Sequence, residues 1–138
     1  MTFYSFLPQP YRHHVVNSRQ TRLDIDEHEK RAVACAQDMR TAMKILQNEL
    51  PEPIAIGIGV NTGEAVVGNM GSDTRFDYSA IGDAVNTAAR LESATKEAGV
   101  DILIGESTYK KLPPGVEASF VQEIKVKGKA KALKVYTI

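Results

Sequence analysis

The sequence predicts an α+β fold. Three observations predict it. Two segments carry apolar residues at helical spacing, 27–48 and 83–98. Between and after them come short β-type runs at 54–60, 64–70, 75–81, 101–105, 117–125 and 132–138. The resulting order from residue 27 is helix, strand, strand, then an extended run leading into a helix, then strand, short helix, strand, strand. It does not alternate strictly, so an antiparallel or mixed sheet is expected, with the helices packed on one face.

Composition bounds the class of protein. With 138 residues, 43% hydrophobic and 25% charged, the chain is long enough for one domain with a packed core. Basic and acidic residues balance at 17 each. A general nucleic-acid binder needs a basic surface, so that class is excluded. A single cysteine, Cys35, forms no internal disulfide, and a cytoplasmic location is expected. No apolar run is long enough to span a membrane.

In chain order, Phe3 to Leu7 reads as the end of a strand stopped by Pro8 and Pro10. Residues 11–25 are polar and read as loop, with His13 and His14 exposed rather than metal-bound. Asp26 is placed to cap the first helix and Glu29 to reach back to it. That helix buries Ala32, Val33, Ala36, Met39, Met43 and Leu46, and ends before Pro51. In 54–60, Ile54, Ile56, Ile58 and Val60 share one face. Ala55, Gly57 and Gly59 leave the other face open to a close neighbour. Asn61, Thr62 and Gly63 read as a turn, with Gly63 at positive φ and 64–70 returning as the second strand of a hairpin. The glycines do not form a phosphate-binding loop, because the lysine and the strand–loop–helix order are missing.

Residues 75–92 are the most informative stretch. An extended run, a glycine at Gly82 and a helix ending at Gly99 place Asn86 and Arg90 one turn apart. Asp83 and Ser93 lie near them, while Val85, Ala88, Ala89 and Leu91 form the packing side. Arginine offers fixed donors to phosphate oxygens, and an asparagine amide can orient a hydroxyl or sugar oxygen. Taken alone, the pair reads first as an ordinary solvated helix face, and the ligand reading gains weight only if the flanking segments also fit a nucleotide site. The lysine-rich turn at 126–131 reads either as a solvated edge or as a set of cations for phosphate.

The motifs Ile56-Gly-Ile-Gly-Val-Asn-Thr-Gly63, Val67-Gly-Asn-Met-Gly-Ser72, Arg75-x-Asp-Tyr-x-x-x-Gly-Asp-Ala-Val-Asn-x-Ala-x-Arg-Leu-Glu92 and Val126-Lys-Gly-Lys129 occur in that order. Together they resemble the catalytic domain of class III nucleotidyl cyclases, the adenylate and guanylate cyclases. The resemblance covers residues 26–138, and residues 1–25 are an irregular lead-in to this single partial domain. It implies a ferredoxin-like cyclase fold lacking its N-terminal strands. It also implies a phosphorus–oxygen lyase reaction, in which a nucleoside triphosphate becomes a 3′,5′-cyclic nucleotide and pyrophosphate in signalling.

By the same resemblance Asn86 orients the ribose and Arg90 holds phosphate charge. Ser79 reads the base, and Lys127 contacts phosphate. Serine at 79 is nearest the threonine type of adenylate cyclases, so ATP is expected over GTP. The family's two metal-binding aspartates belong to an earlier half of the domain. Asp24 and Asp26 do not match them, so Mg or Mn is expected in a complete parent domain and none in this chain alone. The isolated chain is then expected to be inactive and to need a homodimer or a second cyclase domain. A parent protein could be membrane-anchored elsewhere. The alternative is a non-catalytic cyclase-like module that binds nucleotide or only dimerises.

Overall fold

The computed structural model describes residues 2–8, 14–17, 27–72, 75–125 and 132–138. The elements are β1 (Thr2–Pro8), β2 (His14–Asn17), α1 (His28–Gln47), β3 (Ile56–Thr62), β4 (Val66–Ser72), β5 (Arg75–Ile81), α2 (Asp83–Ala98), β6 (Ile102–Gly105), α3 (Glu106–Tyr109), β7 (Ser119–Ile124) and β8 (Leu133–Thr137). Six strands form one sheet in the order β2-β1-β3-β6-β8-β7, and β4 and β5 form a separate two-stranded sheet. β3 and β6 run parallel, and the remaining pairs are antiparallel. The expected α+β class and mixed sheet are present.

Several expectations need correction. β3 does not form a hairpin with β4. It lies between β1 and β6 in the middle of the large sheet, while β4 pairs with β5 from Val66↔Ile81 to Ser72↔Arg75. Gly63 is not at positive φ; among the described residues the positive-φ glycines are Gly82, Gly99 and Gly115. Within the segment read as loop, His14–Asn17 pairs with β1 as a strand. The two long helices do not share a face of the sheet. Strand side chains alternate, so Ile58, Val60, Ile102 and Ile104 meet Ala32, Val33 and Ala36 of α1. Gly57, Gly59 and Leu103 face the other way, toward α2.

That alternation explains the small residues of β3. A Cβ on Gly59 would overlap the Ala88 carbonyl and the Glu92 amide, and one on Gly57 would overlap Thr95 Oγ1. Helix α2 therefore lies directly on the β3 backbone, with Ala88 and Leu91 fully buried beneath it. Its end follows the expected pattern. Gly99 takes the left-handed conformation (φ 66°) and Val100 N–H donates to Thr95 O at 3.1 Å.

Helix α1 starts differently from expectation. Glu27 is its N-cap, at φ 55° with no side-chain cap bond. Glu29 is buried instead of reaching back. Its carboxylate meets Lys111 Nζ at 3.2 Å and His28 Nδ1 at 3.3 Å, which ties the start of α1 to the segment after α3. Asp26 lies outside the described residues. At the far end of α1 the packing face runs out, and Leu46 is exposed.

Candidate functional site

The site begins with the β4–β5 hairpin and the helix it feeds. β5 ends at Ile81, and only Gly82 separates it from Asp83, the first residue of α2. Gly82 takes φ 157° and ψ 168°, a conformation that favours glycine. Val85 and Asn86 N–H both donate to its carbonyl at 3.1 Å. The foot of the hairpin is held to the helix by Ala65 and Ala80, which pack on Ala84, Val85 and Ala88. Hairpin and helix thus form one continuous piece of backbone.

Along α2 the buried residues are Ala84, Val85, Thr87, Ala88, Leu91, Glu92 and Thr95. The opposite stripe is Asp83, Asn86, Arg90, Ser93 and Glu97, all exposed. Asn86 and Arg90 occupy the middle of that stripe, with their side chains directed away from the sheet. Arg90 forms no ion pair among the described residues. Its guanidinium is available to a ligand, on a helix whose other side is anchored in the core.

Ser79 lies in β5 opposite Gly68 of β4, two residues before the strand ends and seven before Asn86. Lys127 lies outside the described residues, as do Asp24 and His13. The structure therefore brings Asn86 and Arg90 together and puts Ser79 on the strand leading to them. Among the described residues there is no group of three His, Cys, Asp or Glu side chains that could hold a metal ion. Nor is any helix there long and apolar enough to cross a membrane.

A cleft of about 600 Å³ opens at the foot of the hairpin, lined by Glu64, Val66, Ile81 and Lys111 among others. Neither Asn86 nor Arg90 lines it. Its apolar rim, Val66 and Ile81, is the first cross-strand pair of the hairpin, and both residues are exposed.

Sequence reasoning missed the buried polar residues at the end of β3. Asn61 and Thr62 close β3 rather than making a turn, and both are buried. Asn61 Nδ2 donates to Ala84 O at 3.1 Å, and Thr62 Oγ1 lies 3.0 Å from Thr108 Oγ1. The available signal was Asn61 itself, an amide continuing the Gly57 and Gly59 side of the strand.

Known proteins share both the sequence and the fold of this chain. The family model of the adenylate and guanylate cyclase catalytic domain matches residues 9–138. An adenylate cyclase of Anabaena cylindrica is 41% identical over 88 residues, which is 62% of this chain and 18% of that protein. The adenylyl cyclase CyaB from P. aeruginosa superimposes with a TM-score of 0.70 at 35% identity, over 83% of this chain and 62% of that one. The guanylate cyclase domain of RhGC from Catenaria anguillulae, solved in complex with GTP, gives a TM-score of 0.70 at 30% identity over 84% of this chain and 62% of that one. The chain thus spans less than a fifth of the Anabaena protein and about three-fifths of the two solved chains. With a family match over nearly its whole length, the chain belongs to the adenylate and guanylate cyclase catalytic-domain family.

Proposed function

We propose that this chain supplies the ribose- and phosphate-holding half of a nucleotidyl cyclase site, acting on ATP in preference to GTP. The observation that carries the reading is the exposed Asn86/Arg90 pair on a helix whose opposite face is fully packed. In the reaction the ribose 3′-oxygen attacks the α-phosphorus of the same nucleotide and pyrophosphate leaves. Negative charge builds on the phosphate oxygens as it does so. A guanidinium fixed in advance stabilises that charge without reorganising, and such a donor is worth about 3–4 kcal/mol of barrier. The Asn86 amide, one turn earlier, holds the ribose so that the 3′-oxygen stays in line with the phosphorus. Ser79, on the strand feeding the helix, contacts the base, and Lys127 adds a point charge for phosphate.

Asn86 and Arg90 face open solvent, so one chain offers a single wall of such a site. The facing wall, together with the carboxylates that hold the divalent ion, comes from a second cyclase domain. This chain by itself then makes no cyclic nucleotide.

Complementation tests the reading. The chain is mixed with a complete cyclase domain that keeps its aspartates and has lost its own Asn/Arg pair, and ATP is supplied with Mn²⁺. Cyclic AMP from the mixture, and from neither component alone, is the expected result. No product from the mixture, with the two proteins shown to associate, would mean a non-catalytic module that only dimerises. Turnover by the pure 138-residue chain would overturn the division of the site between two domains.

A further inference from the structure

Asn61 is 5% exposed and stands at the end of β3, on the side of the sheet that carries α2. Its two polar atoms bind different elements. Nδ2 donates to Ala84 O, in the first turn of α2, at 3.1 Å. Oδ1 accepts from Ser107 Oγ of α3 at 3.0 Å. The orientation of the amide follows from chemistry. A backbone carbonyl only accepts, so the amide nitrogen must face Ala84, and the oxygen is left for a hydroxyl that can donate. On the neighbouring strand β6, Gly105 has no side chain, and a Cβ there would overlap Asn61 Oδ1. The space under the first turn of α2 is shaped around this one amide.

We propose that Asn61 is a positioning residue for Asn86 and Arg90, and that Ser107 is the hydroxyl that sets its amide. This rests on the cyclase reading of the helix for its catalytic consequence, though not for its structural one. The tether ends on Ala84, two residues before Asn86. Glycines form much of the floor of α2 on β3, and these present a smooth surface along which a helix can shift. A directional bond at the first turn fixes both the height and the rotation of the helix, and with them the aim of the two exposed side chains. Thr62 and Thr108, the next residues of the same two elements, hold β3 and α3 in register, so that Ser107 stays opposite Asn61.

The test uses three variants of the full chain, Asn61→Asp, Ser107→Ala and Ser107→Thr. The first removes the side-chain donor to Ala84 O and turns a carboxylate oxygen toward it. The second frees the amide to turn, and the third restores a hydroxyl. In the complemented assembly, Asn61→Asp and Ser107→Ala should lower kcat about 10- to 100-fold with KM nearly unchanged, because misplacement of a transition-state group affects the chemical step more than ground-state binding. Ser107→Thr should recover most of the loss. On the chain alone, amide hydrogen exchange at Asn86 to Ala88 should quicken in Ser107→Ala while Ile102 to Ile104 keep their protection.

Unchanged kcat together with unchanged exchange in Ser107→Ala would overturn the proposal. So would an equal loss in Ser107→Thr, or a loss of protection spread over the whole sheet. If Asn61→Asp does not fold, the two serine variants decide alone. If the unmodified assembly makes no cyclic nucleotide, the cyclase reading fails, and the exchange measurement still decides whether Asn61 anchors the helix.

Discussion

The backbone of Gly59 lies so close to Ala88 that a single methyl group on the glycine would overlap the Ala88 carbonyl. The Leu91 Cβ would be 2.9 Å from the same methyl. Strand and helix touch backbone to backbone, leaving no room for a side chain under the helix that carries Asn86 and Arg90. Gly59→Ala should therefore destabilise the chain by about 1–3 kcal/mol through overpacking. Urea unfolding measures this, and an unchanged midpoint would show that the contact is looser than described.

Arg90 and Asn86 are exposed on the outer stripe of α2, so their removal should leave the fold intact. In the complemented assembly Arg90→Ala should cut kcat about 100- to 1,000-fold, the range seen when one preorganised donor is lost. Arg90→Lys should recover only part of it, because an ammonium lacks the fixed fork of donors. The thermal midpoint of each variant should match that of the parent. A midpoint that falls along with activity would assign these residues to folding instead.

Base choice provides a separate test. If Ser79 contacts the base, Ser79→Cys should shift the assembly toward GTP and Ser79→Asp should keep or strengthen its preference for ATP. Ratios of kcat/KM for the two nucleotides measure this. Identical ratios in all three proteins would remove Ser79 from the site.

Two neighbouring lysines should behave differently. Lys111 pairs with Glu29, whose side chain is 9% exposed, whereas Lys110 pairs with Glu106, whose side chain is 32% exposed. Removing Lys111 leaves a buried carboxylate with His28 as its remaining ion partner among the described residues. The lysine head is itself well exposed, so Lys111→Met should cost about 1–2 kcal/mol rather than the full penalty of a broken buried pair. Lys110→Met should cost clearly less. Equal unfolding midpoints for the two variants would contradict the structural role given to Glu29.

The Glu106–Lys110 pair also gives a pH dependence with a definite sign. The hydrogen bond from Lys110 holds the Glu106 carboxyl below its ordinary value of 4.5. A carboxyl that is more acidic in the folded state stabilises the fold above pH 4.5, and that contribution disappears as the pH falls through the folded value. The wild type should therefore lose its small advantage over Glu106→Gln as the pH is lowered below 4.5. Thermal unfolding at several pH values and low salt reads this directly. A difference that grew in acid would reverse the assignment.

Much of this fold is a local property of the sequence. Alternation of Ile56, Ile58 and Val60 with Gly57 and Gly59 specifies a strand with one bulky face and one bare face, and the bare face is where α2 lies. The 3.6-residue period of 83–98 sorts buried Ala84, Ala88 and Leu91 from exposed Asn86 and Arg90, and Gly99 stops the helix. The candidate pair was legible for that reason: neighbours one turn apart on a helix are set by the chain itself.

The partners of each strand were decided only by tertiary structure. Val66 to Met70 could pair with the strand before it or the strand after it, and the short turn at Gly63 suggested the former. In the folded chain β3 is taken up on both sides by β1 and β6, so β4 pairs with β5 instead. The same distant pairing carries Ser107 and Thr108 to the end of β3, buries Asn61 and Thr62, and brings Lys111 to Glu29. Backbone periodicity shows which face of an element is apolar. Which polar atom satisfies which other, across tens of residues, depends on how loops close and sheets assemble, and no local pattern encodes that.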